Sequence, residues 1–107
     1  MTRKPPNFKA SQARTADADL PAAETLALQA LAFILSDDDR RNRFLGLTGL
    51  DGGAVRSLPG NPAGLGAVLD HLLGWEPELL AFCAETDLPP ARVAAARRLL
   101  PGGDMLD

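Results

Sequence analysis

The residues able to do acid–base, nucleophilic or metal chemistry are few, and most fall in one stretch: Asp70, His71, Glu78 and Cys83. His71 is the only histidine and Cys83 the only cysteine. A zinc site takes three or four ligands at a recognisable spacing, and one His with one Cys falls short. A Cys–His nucleophile pair is conceivable, since an adjacent imidazole activates a thiol. Cys83, however, sits among Leu79, Leu80 and Phe82 in a helical pattern. Free cysteine is among the most buried residue types, so core packing is the better reading. General acid–base work needs groups of tuned pKa held near one another, and only Asp70, His71 and Glu78 are candidates for it. On a helical wheel His71 lies past the edge of its helix's apolar stripe, which puts it at a boundary or in solvent. No catalytic, cofactor-binding or metal-ligating set is expected.

The glycines and arginines give equally plain readings. Gly64-Leu65-Gly66 lies in a helical pattern, follows no strand and lacks a third glycine, so it fails as a dinucleotide fingerprint. No lysine follows a glycine run, which excludes a P-loop motif. Arg40, Arg41 and Arg43 form the densest basic cluster outside the N-terminal segment, but Asp37, Asp38 and Asp39 precede them. Asp37–Arg41 and Asp39–Arg43 have the i,i+4 spacing of helix-surface pairs, each worth about 0.2–0.5 kcal/mol. Self-neutralisation is therefore expected in place of a nucleic-acid face. Arg97 and Arg98 fall at the end of the last helical pattern, where the helix dipole favours cations.

Six helical segments would position these residues. The first starts near Asp19–Pro21, with an aspartate to cap it and a proline in its first turn, and runs to about Leu35. Ala27, Leu28, Leu31, Ile34 and Leu35 form one apolar face, and Leu26, Ala30 and Phe33 widen it. A helix apolar over so much of its circumference is central, and a body this short needs those side chains for its core. Internal burial of Leu26 and Phe33 is expected over an open partner surface. The second helix starts at Ser36 or Asp37, ends at Thr48, and is stopped by Gly49 in a left-handed cap. Asp51 caps a short third helix ending before Pro59. Asn61-Pro62 opens the fourth, which stops at Gly74; Glu76-Pro77 opens the fifth; Pro89-Pro90 opens the sixth, which Pro101-Gly102 ends. Leu50 with Val55, Trp75 with Leu80 and Leu88 with Val93 are spaced as hydrophobic staples. No run alternates as a strand would.

The segments are similar in two halves. A gapless shift of 38 positions lays Leu20-Pro21 on Leu58-Pro59, Leu31 on Leu69, Leu35 on Leu73, Phe44 on Phe82, Thr48 on Thr86, Leu50 on Leu88 and Val55 on Val93. Recurrence at such a period marks one supersecondary unit used twice, although leucine-rich helices slid to their best register match by chance as well.

Composition bounds the rest. The 107 residues make one domain, and with 5% aromatic residues and no Tyr the interior must be filled mostly by Ala and Leu. The net charge of −3 conceals a basic N-terminus: residues 1–15 carry Arg3, Lys4, Lys9 and Arg14 with no acid, on an acidic remainder. A single cysteine suits a reducing compartment, the N-terminus lacks a signal peptide's apolar stretch, and no apolar run is long enough to span a bilayer. These point to a cytoplasmic protein. Residues 1–18 read as a disordered basic arm, 19–101 as the helical domain and 102–107 as a flexible tail.

The run from Glu24 to Phe33 (ETLALQALAF), then Arg43 to Asp51 (RFLGLTGLD), Ala67 to Leu73 (AVLDHLL) and Glu78 to Ala84 (ELLAFCA) resembles a small bacterial family. It is catalogued as a domain of unknown function, number 3572, and found mainly in alphaproteobacteria. The resemblance covers roughly residues 20–100 and implies a bacterial, cytoplasmic, all-helical protein. It brings no activity, cofactor or catalytic residue. The expectation is an all-α compact bundle of five or six short helices, readable as two similar three-helix halves. It would serve as a protein–protein interaction or regulatory module without catalytic activity, with an unidentified protein partner or a homodimer. The second reading is a nucleic-acid-associated regulator using a helix-turn-helix-like element and the basic arm.

Overall fold

In the computed structural model the described residues are 19–102, and all the regular structure among them is helical. The expected basic arm (1–18) and nearly all of the expected tail (102–107) lie outside them. The helices are α1 (Leu20–Leu35), α2 (Asp38–Thr48), α3 (Gly52–Ser57), α4 (Pro62–Leu73), α5 (Glu76–Thr86) and α6 (Pro90–Leu99), with a 3₁₀ turn over Leu58–Gly60 between α3 and α4. The expected all-α bundle is the observed architecture.

Local chemistry sets these boundaries. Asp19, Asp37, Asp51 and Asn61 each accept a hydrogen bond from the backbone N–H three residues on, at 2.9, 3.0, 2.8 and 3.2 Å. Each satisfies a first-turn donor and contributes about 1 kcal/mol. Asp37 is thus occupied as a cap, and Arg41 pairs with Asp38 at 2.9 Å in place of the expected Asp37. α2 ends on Gly49 at φ 74°, α5 on Asp87 at φ 59°.

α1 is central, packing chiefly on α4 and α6. Leu26, Ala30 and Phe33 are buried along with Ala27, Leu31 and Ile34, as the broad apolar face requires, but Leu28, expected on that face, is exposed because it turns away from α4 and α6. Phe33 meets Phe82 of α5 edge to face at 5.4 Å. Phe44, Phe82, Leu69, Leu72, Val68 and Val93 are wholly enclosed. Each such side chain contributes about 1.5–3 kcal/mol by leaving water.

The helix grammar recurs at a spacing of 38. α2 and α5 are both 11 residues long and begin at Asp38 and Glu76. In their last turns Thr48 and Thr86 donate to the carbonyls of Phe44 and Phe82, both at 2.7 Å. α3 and α6 likewise start 38 apart, at Gly52 and Pro90, but α3 stops after 6 residues and buries none, whereas α6 runs for 10 and buries Val93, Ala96 and Arg97. The 3₁₀ turn between α3 and α4 includes Pro59, the residue expected to lie beyond the third helix.

Arg97 ties the last helix to α4. Its Nε and Nη2 donate to Asp70 Oδ1 and Oδ2 at 2.7 and 3.0 Å, and its Nη1 donates to the carbonyls of Leu100 and Pro101, both at 3.2 Å. Bidentate charge-assisted pairs are the strong class of hydrogen bond. Glycine at residue 66 leaves room for the guanidinium: a Cβ there would stand 2.7 Å from Arg97 Nη1, so something would have to shift.

Candidate interaction site

Three helices bring polar and aromatic side chains together. α2 supplies Arg43 and Phe44, α4 supplies His71, and the start of α5 supplies Trp75 and Glu78. The chain leaves α4 at Gly74 and enters α5 at once, so Trp75 becomes the helix's N-cap residue and Glu78 falls in its first turn. A carboxylate there is favoured by the helix dipole.

Glu78 is the hub. Arg43 Nη1 donates to its Oε1 at 3.2 Å, and His71 Nε2 faces its Oε2 at 3.2 Å. The His71 and Glu78 side chains are only 4% and 2% exposed, against 32% for Arg43. Beyond their mutual contact, Nε2 and Oε2 have no hydrogen-bond partner among the described residues. The Phe44 ring stands edge-on to the imidazole at 5.0 Å, and the Arg43 guanidinium lies 3.6 Å from the centre of the Trp75 ring. Burial holds the His71 pKa below its ordinary 6.5, and the Arg43 charge pushes the same way; the Glu78 carboxylate opposes both without overcoming them.

The sequence-based expectations need correcting here. His71 as a residue is half-buried, but its side chain is not in solvent, because Glu78 of α5 and Phe44 of α2 close over it. The Asp39–Arg43 pair gives way to Arg43–Glu78, a contact across 35 residues. Arg40 also reaches inward: it donates to the Phe33 carbonyl at 3.1 Å and lies 3.8 Å from the centre of that ring. Of the acid–base candidates, His71 and Glu78 meet, whereas Asp70 is held by Arg97. Cys83 is buried, as expected, and burial pushes its thiol pKa up, away from nucleophilic readiness.

Large apolar side chains of α2 and α5 are exposed as well. The Trp75 ring is 42% exposed, Leu47 66% and Leu80 48%. Leu47 is one turn beyond Arg43 on α2, and Leu80 one turn beyond Glu76 on α5. Trp75 and Leu80, spaced as a staple, are both exposed, and the indole packs against Arg43. Asp39, one turn before Arg43, and Glu76, next to Trp75 in the chain, are exposed acids.

The profile of a family described as proteins of unknown function, DUF3572, matches residues 21–103. The chain belongs to the DUF3572 family. No curated protein and no solved structure matches it. The match spans all six helices, so the arrangement just described lies wholly inside the family's domain.

A groove of ≈ 330 Å³ lies between α1 and α6 of this DUF3572 domain. Ala22, Leu26, Leu88 and Ala96 supply its apolar lining, and Thr25, Gln29 and Arg92 the polar part. None of these lining residues is an acid or a histidine. Among the described residues no group of three or more His, Cys, Asp or Glu is placed to hold a metal ion. None of the helices among the described residues is by itself long and apolar enough to cross a membrane.

Proposed function

We propose that this domain is a non-catalytic, cytoplasmic protein-interaction module whose contact surface is the Trp75–Arg43 stack with Leu47 and Leu80. The observation that carries the reading is the half-exposed tryptophan backed by a guanidinium that a buried carboxylate holds in place. Tryptophan and arginine dominate binding hot spots, and a side chain already fixed in the free protein loses less entropy on binding. The exposed acids Asp39 and Glu76 favour a partner segment that places an apolar anchor between basic residues. The recurrence of helix boundaries after 38 residues supports an origin by duplication, in which this surface sits where the copies differ: Trp75 corresponds to Asp37, and Leu47 to Glu85.

The arginine placements weigh against the nucleic-acid reading. Arg40, Arg43 and Arg97 are all turned onto internal partners, and phosphate binding needs such charges at the surface.

Selection of peptides from a displayed library tests the proposal. Wild type should enrich sequences pairing aromatic or aliphatic anchors with Lys or Arg, and Trp75→Ala should lose them. Absence of any Trp75-dependent enrichment would overturn it. Self-association in sedimentation that Leu47→Asp abolishes would replace the basic partner with a second copy of the chain.

A further inference from the structure

We infer that His71 is a proton-operated latch on the Trp75 surface: a proton added to its imidazole expels Arg43 from Glu78 and uncovers the indole. The geometry behind this is a carboxylate shared by two cationic or potentially cationic groups, one on each oxygen. Arg43 takes Oε1 and His71 faces Oε2, both at 3.2 Å. While the imidazole is neutral, Glu78 balances Arg43 one to one. Protonation places a second positive charge in the same enclosure, and one carboxylate cannot neutralise both. Buried uncompensated charge is costly, so one cation must reach water.

Exposure decides which one leaves. His71 and Glu78 are enclosed at 4% and 2%, and they sit on helices packed into the core. Arg43 is 32% exposed on a long, flexible side chain that can extend into solvent without moving a helix. Its departure strips the guanidinium from the Trp75 ring, 3.6 Å away. The charges acting on the imidazole are Glu78 from α5 and Arg43 from α2; α1 and α6, which also pack on α4, bring none to it. Asp70, its neighbour on α4, is committed to Arg97. Burial is the main reason the His71 pKa is lowered, and the Arg43 charge adds to it in the same direction.

The consequence for binding rests on the proposed role of Trp75, but the latch itself can be read without any partner. The chain has one histidine and one tryptophan, so untagged protein gives one imidazole signal by proton NMR and one indole emission. As pH falls, the His71 signal should titrate with a midpoint below 6.5, and Trp75 emission should shift to the red at that same midpoint, with helical circular dichroism unchanged. His71→Gln should lose the emission step, and Arg43→Met should start red-shifted and stay so. Three results would overturn the latch: emission flat through the His71 midpoint, an identical step in His71→Gln, or loss of helix at that midpoint. If His71→Gln does not fold, coincidence of the two wild-type midpoints still decides. A failed peptide selection would leave this result standing, and the reverse also holds.

Discussion

Glu78 and Arg43 differ in what they leave behind when removed, and the difference is measurable. Arg43→Met strands a carboxylate that is 2% exposed, and an uncompensated buried charge costs about 3–5 kcal/mol. Glu78→Gln leaves an arginine that can turn to water, so its cost is nearer the 1–3 kcal/mol of an unsatisfied buried group. Urea unfolding at neutral pH should therefore rank Arg43→Met as the more damaging change; the opposite order would mean that Glu78 does not depend on Arg43. His71 adds a pH dependence of known sign. Its pKa is lowered in the fold from 6.5, so below about pH 6.5 the unfolded chain binds a proton that the folded chain resists. Stability then falls as pH drops from there towards the folded value. Between pH 7 and 5 the urea midpoint of wild type should fall more steeply than that of His71→Gln. None of this network was readable from spacing: a wheel drawn for α4 alone puts His71 outside the stripe, because the groups that bury it come from α2 and α5. Arg43 was likewise assigned to Asp39 because local pairs are visible in sequence and pairs across 35 residues are not.

At the scale of the element, glycines of similar appearance have opposite roles. Gly66 lies beneath the Arg97 guanidinium, where an added Cβ would meet Nη1 at 2.7 Å and the Pro101 carbonyl oxygen at 3.0 Å. Overpacking of that kind costs about 1–3 kcal/mol, more than the ~1 kcal/mol that alanine gains in helix propensity. Gly66→Ala should lower the melting temperature. Gly46 lies within α2 with nothing within 4 Å of its missing Cβ, so Gly46→Ala should raise stability by about 0.4–1 kcal/mol. Calorimetry on the two variants should give shifts of opposite sign. The paired helix stops supply another contrast: Gly49 and Asp87 both hold left-handed backbone, a conformation that costs a residue with a side chain roughly 1–2 kcal/mol. Gly49→Ala should destabilise and Asp87→Gly should stabilise, read in the same way. Caps and stops of this kind were legible in the sequence because each is a contact within a few residues. What Gly66 makes room for was not, since Arg97 arrives from another helix.

For the whole molecule, the recurrence after 38 residues raises the question of whether either half is a folding unit. The packing indicates that neither is. The apolar face of α1 is covered chiefly by α4 and α6 of the second half, and Phe33 rests on Phe82 of α5. The third helices are unequal: α6 buries Val93 and Ala96 against the rest, whereas α3 buries nothing. A first half cut off after Gly60 would leave Leu26, Ala27, Ala30, Leu31 and Ile34 in water with only α2 and α3 to cover them, and isolated helices of 11 and 6 residues are marginal in water. Peptides covering residues 19–60 and 61–102 should therefore each show little helical circular dichroism alone. The intact chain should unfold in a single transition by both circular dichroism and Trp75 emission, as one core requires. Independent helical folding of either peptide would mean that contacts within a half outweigh those between halves, and the two signals of the intact chain should then separate.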